Sequence, residues 1–92
     1  MADAADGVLR GVGRRAAELR RAKALTQEQL AEKLRLTVQY LQRVEAGKEN
    51  LTVRSLVRLA KLLGVHVREL FAPPSSRKAP PGRPRRAVSE TD

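Results

Sequence analysis

The sequence predicts an all-α fold with one small domain. Apolar residues recur at helical intervals through residues 8–71, and a threonine that can cap a helix stands before three of the helical stretches. No stretch shows the alternation of apolar and polar residues that is typical of a half-buried strand. The length of 92 residues allows one modest hydrophobic core.

The first helix is predicted over residues 8–23, with Asp6 as its N-cap and residues 1–7 as a flexible N-terminus. Its apolar positions follow helical spacing: Val8, Val12, Ala16 and Leu19. Gly11 and Gly13 lie inside this helix, and each weakens it by about 1 kcal/mol relative to alanine.

Two short helices are predicted next, separated by a very short turn. Thr26 and Gln29 form the Thr-x-x-Gln pattern of a capping box, which begins a helix that runs from Gln27 to about Leu34. Thr37 begins the following helix, and Gly47 ends it. The residues expected to be buried in this pair are Leu30, Ala31, Leu34, Leu36, Leu41 and Val44.

A fourth helix is predicted after Thr52, with Gly64 as its stop, and "VHVRELF" forms one final helical segment. The inward positions of the fourth helix are Leu56, Leu59, Ala60 and Leu63, and its outward positions are Arg54, Arg58 and Lys61. The folded domain is therefore expected over residues 8–71. Residues 72–92 contain all five prolines and no apolar periodicity, which predicts a disordered basic tail.

Composition narrows the class of protein. A net charge of +9 favours an anionic partner, and nucleic acid is favoured over a membrane surface. Cysteine is absent and His66 is the only histidine, so we expect no metal site, no cofactor and no enzymatic activity. The chain has no signal-peptide core and no apolar run long enough to span a membrane, so we expect a cytoplasmic, nucleoid-associated protein without membrane contact.

The third helix has a polar face that the core does not use. Once Leu41 and Val44 are buried, helical spacing turns Gln39, Arg43 and Ala46 outward. Tyr40 and Gln42 then lie on the flanks of this face. Two short helices joined by a tight turn, with the second offering amide and guanidinium groups, form a candidate helix-turn-helix.

Three linked segments, "LTQEQLAEKL", "RVEAGK" and "SLVRLAKLLGV", resemble the phage-repressor-like, Cro-type helix-turn-helix family, also called the xenobiotic-response-element family. The resemblance covers residues 12–71. It implies a compact five-helix, lambda-repressor-like domain that binds double-stranded DNA, usually as a homodimer. One position departs from the family pattern, because Arg35 stands where glycine is usual and where the turn commonly adopts a left-handed conformation.

The resemblance also implies roles for individual residues. DNA base contacts are expected from Val38, Gln39, Gln42 and Arg43. DNA phosphate contacts are expected from Gln27, Thr37, Tyr40, Lys48 and Asn50. Arg20 and Glu45 match the positions of a structural ion pair between the first and third helices. The alternative for each expected DNA contact is a solvated surface side chain.

Further expectations concern the tail and the assembly. Arg83, Arg85 and Arg86 resemble the centre of an AT-hook, and the alternatives are a non-specific phosphate-binding tail or an inert linker end. Dimerisation could use the residues of the last segment: Val65, Val67, Leu70 and Phe71. The alternative is that Leu70 and Phe71 close the core of the monomer.

These features together predict a transcriptional regulator, most simply a repressor at a pseudo-palindromic operator. A restriction–modification controller or an antitoxin could use the same domain, and a regulatory protein partner is possible for any of them. An architectural DNA-binding protein that relies on its basic tail, or a protein-interaction module, are the alternatives from other classes.

Overall fold

The computed structural model describes residues 3–75 and contains four α-helices followed by a 3₁₀ segment. The elements are α1 Ala4–Ala22, α2 Gln27–Leu34, α3 Val38–Glu45, α4 Val53–Leu63 and the 3₁₀ segment Val67–Phe71. The all-α prediction is confirmed across this part of the chain, and α2, α3 and α4 each follow the threonine that was expected to cap them. The tail prediction, including Arg83, Arg85 and Arg86, lies outside the described residues.

The expected fifth helix is instead a five-residue 3₁₀ segment. The Glu69 N–H donates to the His66 carbonyl at 2.9 Å, which is the i to i+3 bond of a 3₁₀ helix. The His66 Nδ1 atom accepts the Arg68 N–H at 3.1 Å and so caps the start. Pro73 and Pro74 follow closely and lack the N–H groups that a further α-helical turn would need, so the segment ends before them.

Helix α1 begins four residues earlier than expected, and the assignment of Asp6 as its N-cap is wrong. Asp3 is the N-cap: its Oδ1 atom accepts the Asp6 N–H at 3.0 Å, and the Asp3 N–H donates to Asp6 Oδ2 at 3.3 Å. Two aspartates at this spacing form a reciprocal capping box, which satisfies two N–H groups rather than one. Ala4–Gly7 therefore lie in the first turns of α1.

The turn between α2 and α3 contains a left-handed arginine. Arg35 has φ of 59°, which is the conformation expected where the family usually has glycine. The Arg35 and Leu36 N–H groups donate to the carbonyls of Glu32 and Ala31, so the turn is a Schellman motif. A left-handed non-glycine residue costs about 1–2 kcal/mol, and the packing of the buried faces of α2 and α3 on either side holds it in place.

The core lies where α2, α3, α4 and the 3₁₀ segment meet α1. Its fully buried members include Leu30, Leu41 and Leu70. The residues predicted to be buried in α2 and α3 are buried except Leu36, which is half-buried against the same cluster. Leu56 of α4 is also half-buried, whereas Leu59, Ala60 and Leu63 are buried as predicted.

Candidate nucleic-acid interface

The outer face of α3 is exposed as the helical spacing predicted. Gln39, Gln42, Arg43 and Ala46 are exposed, and Val38 and Tyr40 are half-buried at the start of the helix. The inner face packs Leu41 and Val44 into the core. Helix α3 thus exposes two amides and one guanidinium on its outer face, while its inner face is packed in the core.

A buried ion pair joins α1 to α3. Arg20 Nε donates to Glu45 Oε2 at 2.7 Å and Arg20 Nη2 donates to Oε1 at 3.1 Å, with only 9% and 7% of the two side chains exposed. The remaining Arg20 nitrogen, Nη1, donates to the Leu25 carbonyl at 2.8 Å. One guanidinium therefore fixes the end of α1, the α1–α2 turn and the last residue of α3. These are the two residues for which the family resemblance implied an ion pair.

Gln27 extends this network toward the outer surface. Its Nε2 atom donates to Glu45 Oε1 at 2.9 Å, and its Oε1 atom accepts from Gln42 Nε2 at 3.5 Å. Gln27 was expected as a phosphate contact, and in this structure its amide also links the buried pair to an outward residue of α3. The amide partners were not foreseen, because they are distant in sequence.

Gly13 explains how α1 can approach α3 so closely. A Cβ atom at Gly13 would lie 2.6 Å from the Glu45 carbonyl oxygen and would also overlap the Val44 carbonyl oxygen. Only a residue without a side chain fits there. Sequence reasoning treated Gly13 solely as a weak point of the helix, although a glycine within a helical pattern can also indicate close packing.

The Thr37 side chain is used at the start of α3. Its Oγ1 atom accepts the Tyr40 N–H at 3.1 Å, which caps the helix. The hydroxyl hydrogen stays available for an acceptor such as a phosphate oxygen, so the capping bond does not exclude the expected contact.

A second arginine–glutamate pair joins α3 to the loop that follows it. Arg43 Nε donates to Glu49 Oε2 at 2.6 Å, and Arg43 Nη2 donates to the Lys48 carbonyl at 3.2 Å. Gly47, with φ of 77°, turns the chain back so that the Lys48 N–H donates to the Arg43 carbonyl at 2.9 Å. Glu49 was missed at the sequence level, and Lys48 and Asn50 beside it are exposed.

The residues considered for dimerisation divide into two groups. Leu70 is fully buried and closes the core of the monomer, and Val65 and Val67 are half-buried against the same core. Phe71 is 53% exposed, so the alternative in which it closes the core is wrong for this residue. It lines a surface groove with Val8, which is 52% exposed.

The outward positions predicted on α4 are exposed. Arg54, Arg58 and Lys61 all face away from the core and add positive charge to this side of the helix. Within residues 3–75, no helix has the length and apolar character needed to cross a membrane.

Comparisons with known proteins agree with this arrangement. A family model described as helix-turn-helix matches residues 17–70. The HTH-type transcriptional regulator y4dJ of Sinorhizobium fredii, itself uncharacterised, is 45% identical over 62 residues, which are 67% of this chain and 80% of y4dJ.

Two solved structures share the fold at moderate identity. The restriction-modification controller protein C.AhdI from Aeromonas hydrophila is 41% identical with a TM-score of 0.64, over 68% of this chain and 96% of C.AhdI. The clp gene regulator ClgR from Corynebacterium glutamicum is 25% identical with a TM-score of 0.65, over 68% of this chain and 67% of ClgR.

Proposed function

Since the chain belongs to the helix-turn-helix family of DNA-binding transcriptional regulators, we propose that it is a sequence-specific repressor that inserts α3 into the DNA major groove. The observation that carries this proposal is the outer face of α3. Its amide and guanidinium groups are exposed, while the buried Arg20–Glu45 pair fixes the backbone that presents them.

Base readout would follow from the chemistry of these side chains. A glutamine such as Gln39 can bond both N6 and N7 of adenine, and Arg43 can bond O6 and N7 of guanine. Val38 suits contact with a thymine methyl group, and Gln42 is the fourth candidate for base contact.

Phosphate contacts would fix the register of the domain on the duplex. Exposed loop residues such as Lys48 and Asn50 follow α3, and Gln27 and Thr37 stand at the starts of α2 and α3, where backbone N–H groups favour anions. Tyr40, half-buried on the flank of α3, is a further candidate for a phosphate contact.

The repressor would act in the cytoplasm as a homodimer. Two copies of α3 would then enter successive major grooves about 34 Å apart, and the operator would be a pseudo-palindrome. The exposed Phe71 and Val8 offer apolar surface for such an interface. Sedimentation equilibrium on the full chain would show a dimer if this part of the proposal holds, and a monomer at all concentrations would contradict it.

A restriction–modification controller is the second candidate. It is favoured by the 41% identity to C.AhdI across nearly all of that protein. The two candidates use the same DNA-reading surface, and the genes next to the preferred operator distinguish them. A regulatory protein partner is compatible with either.

The central experiment compares Arg43→Ala with wild type on a preferred duplex and on random DNA. We expect the variant to lose about 1–3 kcal/mol of binding free energy on the preferred duplex and much less on random DNA, because guanine readout is lost. Arg68→Ala is the matched control: it removes the same charge from the 3₁₀ segment, which packs on α1 and α4. Equal losses on both DNAs would contradict base readout by Arg43.

A further inference from the structure

Arg43 is held in place by the loop that follows its own helix. Its side chain donates to Glu49 Oε2 at 2.6 Å and to the Lys48 carbonyl at 3.2 Å, while its carbonyl accepts the Lys48 N–H at 2.9 Å. Three hydrogen bonds thus tie one residue of α3 to two adjacent loop residues. The left-handed Gly47 between them makes this return of the chain possible.

These hydrogen bonds leave the Arg43 guanidinium able to bind a further acceptor. A guanidinium carries five N–H donors, and Glu49 and Lys48 occupy two of them. The Arg43 side chain is 55% exposed, and its other donors form no hydrogen bond within residues 3–75. The O6 and N7 atoms of guanine are both acceptors and together need two donors, so Arg43 can bind a guanine edge without releasing Glu49.

We propose that Glu49 is a positioning residue that restricts Arg43 to one orientation and thereby sharpens its choice of base pair. The inference rests on the proposed function, since it concerns the same reading surface. A free arginine has many rotamers, and a base edge must immobilise it at an entropic cost. Because Glu49 and the Lys48 carbonyl limit those rotamers before binding, the Arg43 side chain loses less conformational entropy when it binds a base.

The carboxylate also has an opposing effect on affinity. A negative charge beside the reading surface repels phosphates of any sequence. Glu49 should therefore lower affinity for random DNA while raising discrimination between base pairs. A residue that merely stabilised the loop would change both affinities together.

The test uses the full chain and duplexes that differ at single base pairs. The base pair read by Arg43 is the one whose preference disappears in Arg43→Ala. At that base pair we expect Glu49→Ala to reduce discrimination roughly twofold to tenfold, the range expected from freeing one long side chain. In Glu49→Ala the affinity for random DNA should rise. In Glu49→Gln, which keeps an acceptor oxygen for Arg43, the discrimination should stay closer to that of wild type.

Glu32→Ala is the control, because it removes one exposed carboxylate from α2, at a residue that forms neither a hydrogen bond nor an ion pair with Arg43. It should leave discrimination unchanged. The inference is overturned if Glu49→Ala keeps the wild-type discrimination, increases it, or weakens the preference at every base pair equally. In those cases the proposed function still stands if wild type selects a sequence. If wild type selects no sequence at all, the proposed function fails and the inference fails with it.

Discussion

Two arginine–glutamate pairs flank α3 and show how burial changes what the same chemistry does. Arg20–Glu45 lies between α1 and α3 with less than a tenth of each side chain exposed, whereas Arg43–Glu49 has 55% and 25% exposed. Their shortest N···O distances are nearly equal, at 2.7 Å and 2.6 Å. Distance alone therefore does not separate them.

The difference lies in what happens when one partner is removed. A buried carboxylate that loses its arginine has no water to replace it, so the whole desolvation penalty appears as lost stability. When one member of an exposed pair is removed, water solvates the other member at little cost in free energy. The buried pair therefore fixes the position of α3 in the fold, whereas the exposed pair contributes little to stability, and the role proposed for it is in binding.

The largest effect is expected from Arg20→Ala. The change leaves Glu45 buried with Gln27 as its remaining side-chain donor, and we expect the free energy of unfolding to fall by about 3–5 kcal/mol. Urea denaturation followed by circular dichroism measures this loss. The double variant Arg20→Met/Glu45→Leu should be less destabilised than the single variant, since no unpaired charge remains. A loss below about 1 kcal/mol in Arg20→Ala would place this pair with the exposed one.

Gly13→Ala tests the close approach on which the buried pair depends. The new Cβ atom would overlap backbone oxygens of α3, which cannot rotate away, so we expect a loss of about 1–3 kcal/mol in unfolding free energy. Gly11→Ala is the control two residues away, where a Cβ atom meets nothing within 4 Å. That control should stabilise α1 by about 0.5–1 kcal/mol. Similar thermal shifts for both variants would contradict the close approach.

Arg35→Gly changes stability without touching either pair. Glycine adopts the left-handed conformation at Arg35 without strain, but it also raises the conformational entropy of the unfolded chain. We therefore expect the free energy of unfolding to rise by about 0.5–1 kcal/mol in Arg35→Gly. A thermal melt measures the gain, and Ala24→Gly, at the other left-handed non-glycine residue of the described chain, should show a similar one. A lower melting temperature for Arg35→Gly would mean that the arginine side chain makes a stabilising contact.

The smallest effect on stability is expected from Glu49→Ala. Because the Arg43–Glu49 pair is exposed, its removal should change the free energy of unfolding by less than about 1 kcal/mol. Urea denaturation measures this change in the free energy of unfolding, and the result is compared with that for Arg20→Ala. A loss of similar size in both variants would remove the distinction between the two pairs.

The sequence was most informative where local chemistry decides the structure. Thr26, Thr37 and Thr52 predicted the starts of α2, α3 and α4, because a capping hydroxyl bonds an N–H only a few residues away. Apolar spacing predicted which face of α3 would be buried. The start of α1 was predicted wrongly, since Asp3 and Asp6 can each serve as a cap and only together form the box.

Contacts between distant residues could not be predicted in the same way. Gly13 looked like a defect in a helix until its neighbour was known, and Glu49 looked like an ordinary loop carboxylate. The choice of partner depends on how α1 and the loop after α3 are placed in three dimensions. The residues proposed to contact DNA remain predictions for the same reason, because their partner is another molecule.

The most direct test of the central claim is selection of duplexes by the full wild-type chain from a random DNA pool at moderate salt. If the outer face of α3 reads sequence, the bound fraction will be enriched in a pseudo-palindrome whose half-sites lie about one helical turn apart. Enrichment of A·T content alone, or of no sequence despite binding, would contradict the claim and favour an architectural role. Retention of no DNA would contradict it as well and favour a protein-interaction module.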